Sequence, residues 1–343
     1  MSESQRRWKM RPPGSNWGEF GDDDQLGRLN LIDAAKVRQG VAEVREGLTF
    51  CLSLPLDHPG GNVLNPRRHP PRLRPTAHAS VPRWMYEARR DTPGATDVIN
   101  DDAALIHLQY STQWDSFAHA GSLFDADDDG RAEPVFYNGF RGGVELPLAD
   151  GEGEAMRSGV RNLGIENFAV HGVQGRGVLV DLNAHHGDER VAVGYDELMR
   201  IMDADGVRVE PGDMLLLHTG FGRRLLEWRR QPDPEAIHRI CPVLDSRDAR
   251  LLDWITESGI AALIADNYAV EDVSVGKGPG DCALMPLHEH CLFKLGIPLG
   301  EIWYLSELAG WLRAHSRSRF LLTAPPLRLP GAVGSPATPI ATV

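Results

Sequence analysis

The 343-residue chain is 42% hydrophobic and 24% charged, an ordinary soluble composition with room for one large domain or two of average size. Its formal net charge of −12 disfavours nucleic acid or an anionic membrane as partner and is easier to reconcile with a small-molecule substrate. No apolar run approaches the ~20 residues of a membrane span, Met1–Met10 lacks the apolar core of a secretory signal, and Cys51, Cys241, Cys282 and Cys291 form no C-x-x-C pair, so a cytoplasmic protein with reduced thiols is expected.

Residues 1–30 are read as an N-terminal arm. Its stretch Asn16–Asp24 is rich in Gly and Asp, but Trp17 and Phe20 argue for order. Residues 59–76 form a long Pro/Arg-rich loop, a length usually reserved for function or mobility. Its basic cluster, Arg67, Arg68, Arg72 and Arg74, either faces an anionic substrate or is simply solvated.

The stretch Gln113-Trp114-Asp115-Ser116-Phe117-Ala118-His119 follows. On a strand, the period of two puts Gln113 and Asp115 on one face. If the chain then turns helical, Asp115 and His119 are four apart and again share a face. An amide, a carboxylate and an imidazole so spaced can converge on one metal ion, with His107, Gln109 and Thr112 nearby as supports. The competing reading is a polar strand end with a satisfied histidine. Asp125–Gly130 imitates the start of a calcium loop, but Phe136 stands where a bidentate Glu is needed, so an acidic turn is the better reading.

Three apolar runs read as buried strands: Gly177–Leu182, Met214–Thr219 and Ile260–Asp266. Each carries a polar residue near its end, as strands do when they deliver side chains to a cleft. Helical patterns lie between them, at Tyr195–Met202 and at Ser246–Ser258, the latter with Ser246 as N-cap and Gly259 past the end. Strands alternating with helices indicate an α/β chain. Gly276–Gly280 lacks phosphate-loop spacing, Gly172–Gly177 precedes a strand instead of following one, and no G-x-S-x-G occurs. His288 and His290, with Glu301 thirteen residues beyond His288, form a second ligand-rich cluster. Joined to Asp115 and His119 they complete a His/carboxylate site suited to Zn2+ or Mn2+. Thr323–Val343 is proline-rich and is read as an extended segment on the surface.

Taken in order, five segments resemble the metal-dependent cyclase family that includes kynurenine formamidases and isatin hydrolases, in its long branch. They are Asn16-Trp17-Gly18 with Asp22-Asp23 and Leu29-Asn30; Gln113–His119; Gly175–Asp181; Gly212–Leu216 with Thr219-Gly220; and Pro286–Glu301 with Leu305. The Gly331–Pro336 stretch fits the same branch. The family motif H-x-G-T-H-x-D-x-x-x-H lays its Asp on Asp115, its last His on His119 and its Thr on Thr112. Its glycine falls on Ser111, and its first two histidines, metal ligands in the family, fall on Gln109 and Gln113. A glutamine can still ligate through its carbonyl oxygen, a harder donor that suits manganese better than zinc.

The resemblance implies a compact single domain over residues 31–322, with a mixed, partly barrel-like sheet flanked by helices, and residues 323–343 packed on it. It implies a divalent ion, Mn2+ or Zn2+, held by Asp115, His119, Gln113, His288 and Glu301, with His290 close enough to replace His288. His119, His288 and Glu301 are the catalytic candidates; Trp17, Trp114 and His290 are candidates for the substrate pocket, with core packing the safer assignment for the two tryptophans. The expected activity is hydrolysis of an amide or lactone bond in a small cyclic or aryl compound by metal-activated water, in a homo-oligomer (dimer or tetramer). A metal-dependent lyase or dehydratase, or a binding protein that lost its metal at positions 109 and 113, are the alternatives.

Overall fold

The computed structural model describes residues 6–152 and 156–343. Nine strands form the main sheet: β1 (Thr49–Cys51), β2 (Gln113–Asp115), β3 (Gln174–Asp181), β4 (Met214–His218), β5 (Ala262–Ala265), β6 (Leu299–Glu301), β7 (Arg319–Thr323), β8 (Gly334–Pro336) and β9 (Ile340–Thr342). Their spatial order is β1-β9-β7-β3-β4-β5-β6-β2-β8. The centre, β3 to β6, is parallel, and both flanks are antiparallel. The central strands read as continuous apolar runs because both faces are covered. Val178 sits opposite Leu215, Leu215 opposite Leu263, and Leu263 opposite Leu299. The three sequence-predicted strands coincide with β3, β4 and β5 to within a few residues.

The sheet curls. Ser53, just past the edge strand β1, bridges Trp303, just past β6, and Tyr304 N donates to Leu52 O at 2.9 Å. Two strands six places apart in the order are thereby tied together, which makes the sheet a half-barrel.

Helices α1 (Ala34–Ala42), α2 (Tyr195–Ala204), α3 (Phe221–Glu227), α4 (Ala249–Ser258) and α5 (Ser306–Ala314) accompany the sheet. α1 lies so close to β3 that a Cβ on Gly40 would come within 2.7 Å of Gly175 C. The expected cap of α4 is corrected: Ser246 is buried upstream, and Asp248 caps the helix by accepting from Arg250 N. Gly259 ends α4 in the left-handed region, at φ 68°, where glycine carries no Cβ penalty.

The ends of the chain depart from expectation in one respect. Residues 323–343 are extended but are no surface wrapping: β8 pairs with β2, and β9 pairs with both β7 and β1. The N-terminal arm is ordered by Trp17, whose Nε1 donates to Phe293 O at 2.8 Å, and by Asn16, which donates to Leu295 O at 2.9 Å. Part of the Pro/Arg-rich loop is also a strand, Arg72–Pro75 pairing with Asp102–Leu105, an exposed ribbon whose partner lies too far along the chain for local pattern to reveal. Among the described residues, no helix is long and apolar enough to cross a membrane.

Candidate metal centre

β2 lies between β6 and β8, in antiparallel register with both. Gln113 is opposite Glu301, and Asp115 is opposite Leu299 and Gly334. Direct partners share a face, so Gln113, Asp115 and Glu301 all project to one side. Gln113 Nε2 donates to Glu301 Oε2 at 3.2 Å. Trp114 occupies the other side, where its Nε1 donates to Ala324 O and its ring meets Trp303 edge-on at 5.1 Å.

His288 comes from a different element. A short helix, Pro286–His288, runs into a π-helical turn over Glu289–Leu295, a geometry frequent at functional sites. The ring is held on both sides: Nδ1 is 2.6 Å from Glu271 Oε1, and Nε2 is 3.2 Å from Glu301 Oε1. One donor atom each from Asp115, His288 and Glu301 lie within 4.8 Å of one another.

The backbone around these carboxylates is strained. Ile302, directly after Glu301, has φ 57°, and Ala269 and Val270, just before Glu271, have φ 70° and 59°. Left-handed conformations cost β-branched residues about 1–3 kcal/mol each and persist only where the surroundings dictate them. Here Ile302 N donates to Asn267 O, and Ile302 O accepts from Thr112 Oγ1.

Burial and charge set the electrostatics. Asp115 is fully buried, which raises its pKa; the charges of His119 and His288 pull the other way, and Glu301 adds to the rise. Burial also pushes Glu301 up, but the hydrogen bond and charge of His288 outweigh it and hold Glu301 below its ordinary value. For His288, burial disfavours the imidazolium, yet hydrogen bonds to Glu271 and Glu301 prevail and raise it to about 10.

The residues present fit a metal ion. Asp115 Oδ1 and Oδ2 and Gln113 Oε1 are buried without a hydrogen-bond partner. Orphaned acceptors at this depth cost about 1–3 kcal/mol each, and those of Asp115, beside the His288 imidazole and the Glu301 carboxylate, form a cation cradle. The donor set is oxygen-rich with one imidazole, a mixture that accepts Mn2+ or Zn2+.

His119 stands at the edge of this cradle. Its Nε2 is 3.8 Å from Asp115 Oδ1, and its side chain keeps 21% exposure. It borders a cleft of about 260 Å³, while His288 borders one of about 710 Å³, and Gly121, Ser122 and Leu123 line both. The centre is therefore reachable from solvent.

The other candidates lie elsewhere. Trp17 is 1% exposed and packed edge-on against Trp8, Phe124 and Phe293. Trp114 is equally buried on the far face of β2. His290 points to α4, with Nε2 2.9 Å from Thr256 Oγ1, and burial with the Lys294 charge lowers its pKa to about 4. All three side chains are enclosed by core contacts: the two tryptophans take the core-packing reading, and the structure corrects the expectation that His290 serves the substrate pocket. His290 lies two residues beyond His288, about half a helical turn around, which is why only His288 meets Glu301. Glu271 was not singled out from the sequence; its position just beyond the carboxyl end of β5, where α/β sheets gather their functional residues, was the available signal. The Asp125 carboxylate accepts from Asp129 N and Gly130 N and so caps an acidic turn.

A half-barrel α/β sheet with a buried His/carboxylate cradle at its β2–β6 pair defines the class: a cyclase-fold protein with a candidate metal centre. Residues 51–272 match the family model "Putative cyclase". A solved structure of a novel cyclase is 30% identical, covering 97% of this chain and 100% of that chain with a TM-score of 0.74. The chain belongs to this cyclase family. Isatin hydrolase A from Labrenzia aggregata shares the fold at 15% identity, covering 88% of this chain and 95% of that chain with a TM-score of 0.54. Isatin hydrolase A from Ralstonia solanacearum does so at 16% identity, covering 90% and 94%, with a TM-score of 0.51. No curated protein matches the chain.

Proposed function

We propose that this chain is a metal-dependent hydrolase that opens an amide or lactone bond in a small cyclic or aryl substrate. The observation that carries the reading is the set of buried, unpartnered acceptors on Asp115 and Gln113 beside the His288–Glu301 pair. A relative that had abandoned its ion would be expected to fill such a cradle with apolar or mutually bonded side chains. The fold shared with isatin hydrolases supports hydrolytic chemistry in general terms.

Asp115, His288 and Glu301 would hold the ion, with Gln113 Oε1 as a further donor. An ion bound there supplies carbonyl polarisation and lowers the pKa of water. Glu271 retains the Nδ1 proton of His288 and so aims Nε2 inward. That leaves His119 as the mobile acid–base: it reaches the cleft, takes a proton from the attacking water at Nε2, and returns it to the leaving nitrogen or oxygen. Asp115 Oδ1 lies 3.8 Å from His119 Nε2.

The test combines elemental analysis of protein purified without chelator with assays on aryl formamide, isatin and lactone panels, comparing Asp115→Ala with the parent. Product masses separate hydrolysis, which adds water, from dehydration, which removes it. A metal-free parent, or an Asp115→Ala variant with parental activity, would overturn the proposal.

A further inference from the structure

Arg67, Arg72 and Arg74 of the basic loop are exposed, whereas Arg68 is half-buried. Arg68 Nη1 donates to Gln109 O at 2.7 Å, and the residue shares a narrow recess with Asn65, Gln109, Tyr268 and Ile302. Ile302 directly follows Glu301. Gln109 packs against Gly334, the register partner of Asp115, so closely that a Cβ on Gly334 would fall 2.4 Å from Gln109 Nε2. Arg68 therefore stands at the rim of the metal centre.

The loop fixes it there. Arg68 N donates to Asn65 O at 3.0 Å, Arg67 N to Asn65 Oδ1 at 3.1 Å, and Asn65 Nδ2 to Tyr268 OH at 3.2 Å. Of the five N–H donors a guanidinium carries, only Nη1 has a partner among the described residues. Its charge favours the ionised forms of Asp115 and Glu301, yet it pairs with neither within hydrogen-bonding distance. An anchored guanidinium with spare donors loses little freedom on binding a carboxylate.

Charge balance points the same way. Asp115, Glu271 and Glu301 against a divalent ion leave one negative charge, which would repel an anionic ligand; Arg68 cancels it. The recess beside Arg68 has a volume of about 10 Å³, room for a group the size of one water.

We propose that Arg68 is a specificity-determining residue that binds the carboxylate of an anionic substrate beside the metal centre. The proposal rests on the metal-centre reading above. The test titrates Mn2+, then acetate and its neutral isostere acetamide, into the parent, Arg68→Gln and Arg68→Lys, read by calorimetry and by Mn2+-induced broadening of the ligand methyl signal. The parent should prefer acetate; Arg68→Gln should lose about tenfold of that preference, the worth of one charge-assisted contact, and Arg68→Lys should keep part of it. Mn2+ affinity of Arg68→Gln should be equal or higher, because a neighbouring cation has been removed. An unchanged acetate preference overturns the proposal. So does loss of Mn2+ and acetate together, which would mark Arg68 as a prop for the loop. If the parent takes up no Mn2+, the metal reading fails by itself; the same acetate comparison in the metal-free protein then decides Arg68, with equal binding by parent and Arg68→Gln sinking it.

Discussion

Glu271 Oε1 accepts two hydrogen bonds from His288, one from its backbone N at 2.9 Å and one from Nδ1 at 2.6 Å. The other carboxylate oxygen accepts from Leu287 N at 3.1 Å. One buried side chain thus sets both the start of the helical turn and the tautomer of its histidine. Partners of this kind typically account for 10–100-fold in metal affinity. Glu271→Gln should lower Mn2+ affinity by about that factor while its circular dichroism stays parental. Calorimetric titration checks it, and an unaltered affinity would deny Glu271 its orienting role.

The cradle exists at a cost to the metal-free fold. Asp115 is a fully buried carboxyl whose oxygens lack partners, and burial opposes its ionisation. Asp115→Asn removes that penalty. In chelator, the variant should unfold in urea at or above the parental midpoint. Mn2+ at a hundred times its Kd should stabilise the parent by about 2.7 kcal/mol and the variant hardly at all. A metal-free variant that unfolds well below the parent would instead show that Asp115 supports the fold.

A second buried charge cluster is structural. Asp213 accepts from Arg176 Nε and Nη2 at 2.8 and 2.9 Å, from Lys36 Nζ at 2.9 Å and from Glu210 N at 2.8 Å. It ties α1, β3 and the turn before β4 together. Removing Asp213, the fully buried acid of this group, leaves Lys36 and Arg176 with only the half-exposed Glu210, and losses of a buried partner run up to about 3–5 kcal/mol. Asp213→Ala should show that deficit in urea denaturation without changing Mn2+ affinity once folded. A deficit below about 1 kcal/mol would mean that solvent already screens the cluster.

His218 gives a pH signature away from the metal centre. Its Nδ1 is 2.7 Å from Asp181 Oδ1, its Nε2 is 3.0 Å from Ser306 Oγ and 4.0 Å from Asp266 Oδ2, and Arg313 donates to Asp181 Oδ2 at 2.8 Å. Burial opposes the imidazolium, but the Asp181 hydrogen bond and the charges of Asp266 and Asp181 raise its pKa above the ordinary 6.5. A raised pKa contributes stability in full below 6.5 and loses it as pH climbs through the folded value. Asp181 is the reverse case: burial pushes it up, His218 more than offsets this, and its contribution is present above 3.8 and lost in stronger acid. The stability deficit of His218→Gln should therefore be largest near about pH 5 and shrink above neutrality. Urea denaturation at acidic, neutral and alkaline pH measures it; a deficit independent of pH would rule out a charged His218.

Local pattern was legible wherever burial dictated it. The continuous apolar runs of β3, β4 and β5 named their own strands, because a strand covered on both faces has no polar side. The spacing of Gln113 and Asp115 placed both on one face before any partner was known. The same logic did not decide between core and pocket for Trp17, and it misplaced His290. An aromatic ring or an imidazole reads alike in a core and in a pocket, and only the neighbours Phe293 and Thr256 separate the two. It also failed for residues 323–343, whose prolines hid two short strands, since pairing with β2 and β9's neighbours is a long-range property.

Residue order thus carried the ligand types, the α/β alternation and the facing of each strand, all of which follow from side-chain chemistry and backbone period. Long-range register decided which carboxylate meets which imidazole. It set Glu301 across from Gln113, delivered Glu271 behind His288, and left His290, two residues on, facing away. A buried charge is defined by what surrounds it, and the surroundings of Asp115 come from segments nearly two hundred positions along the chain, brought near by the curl of the sheet.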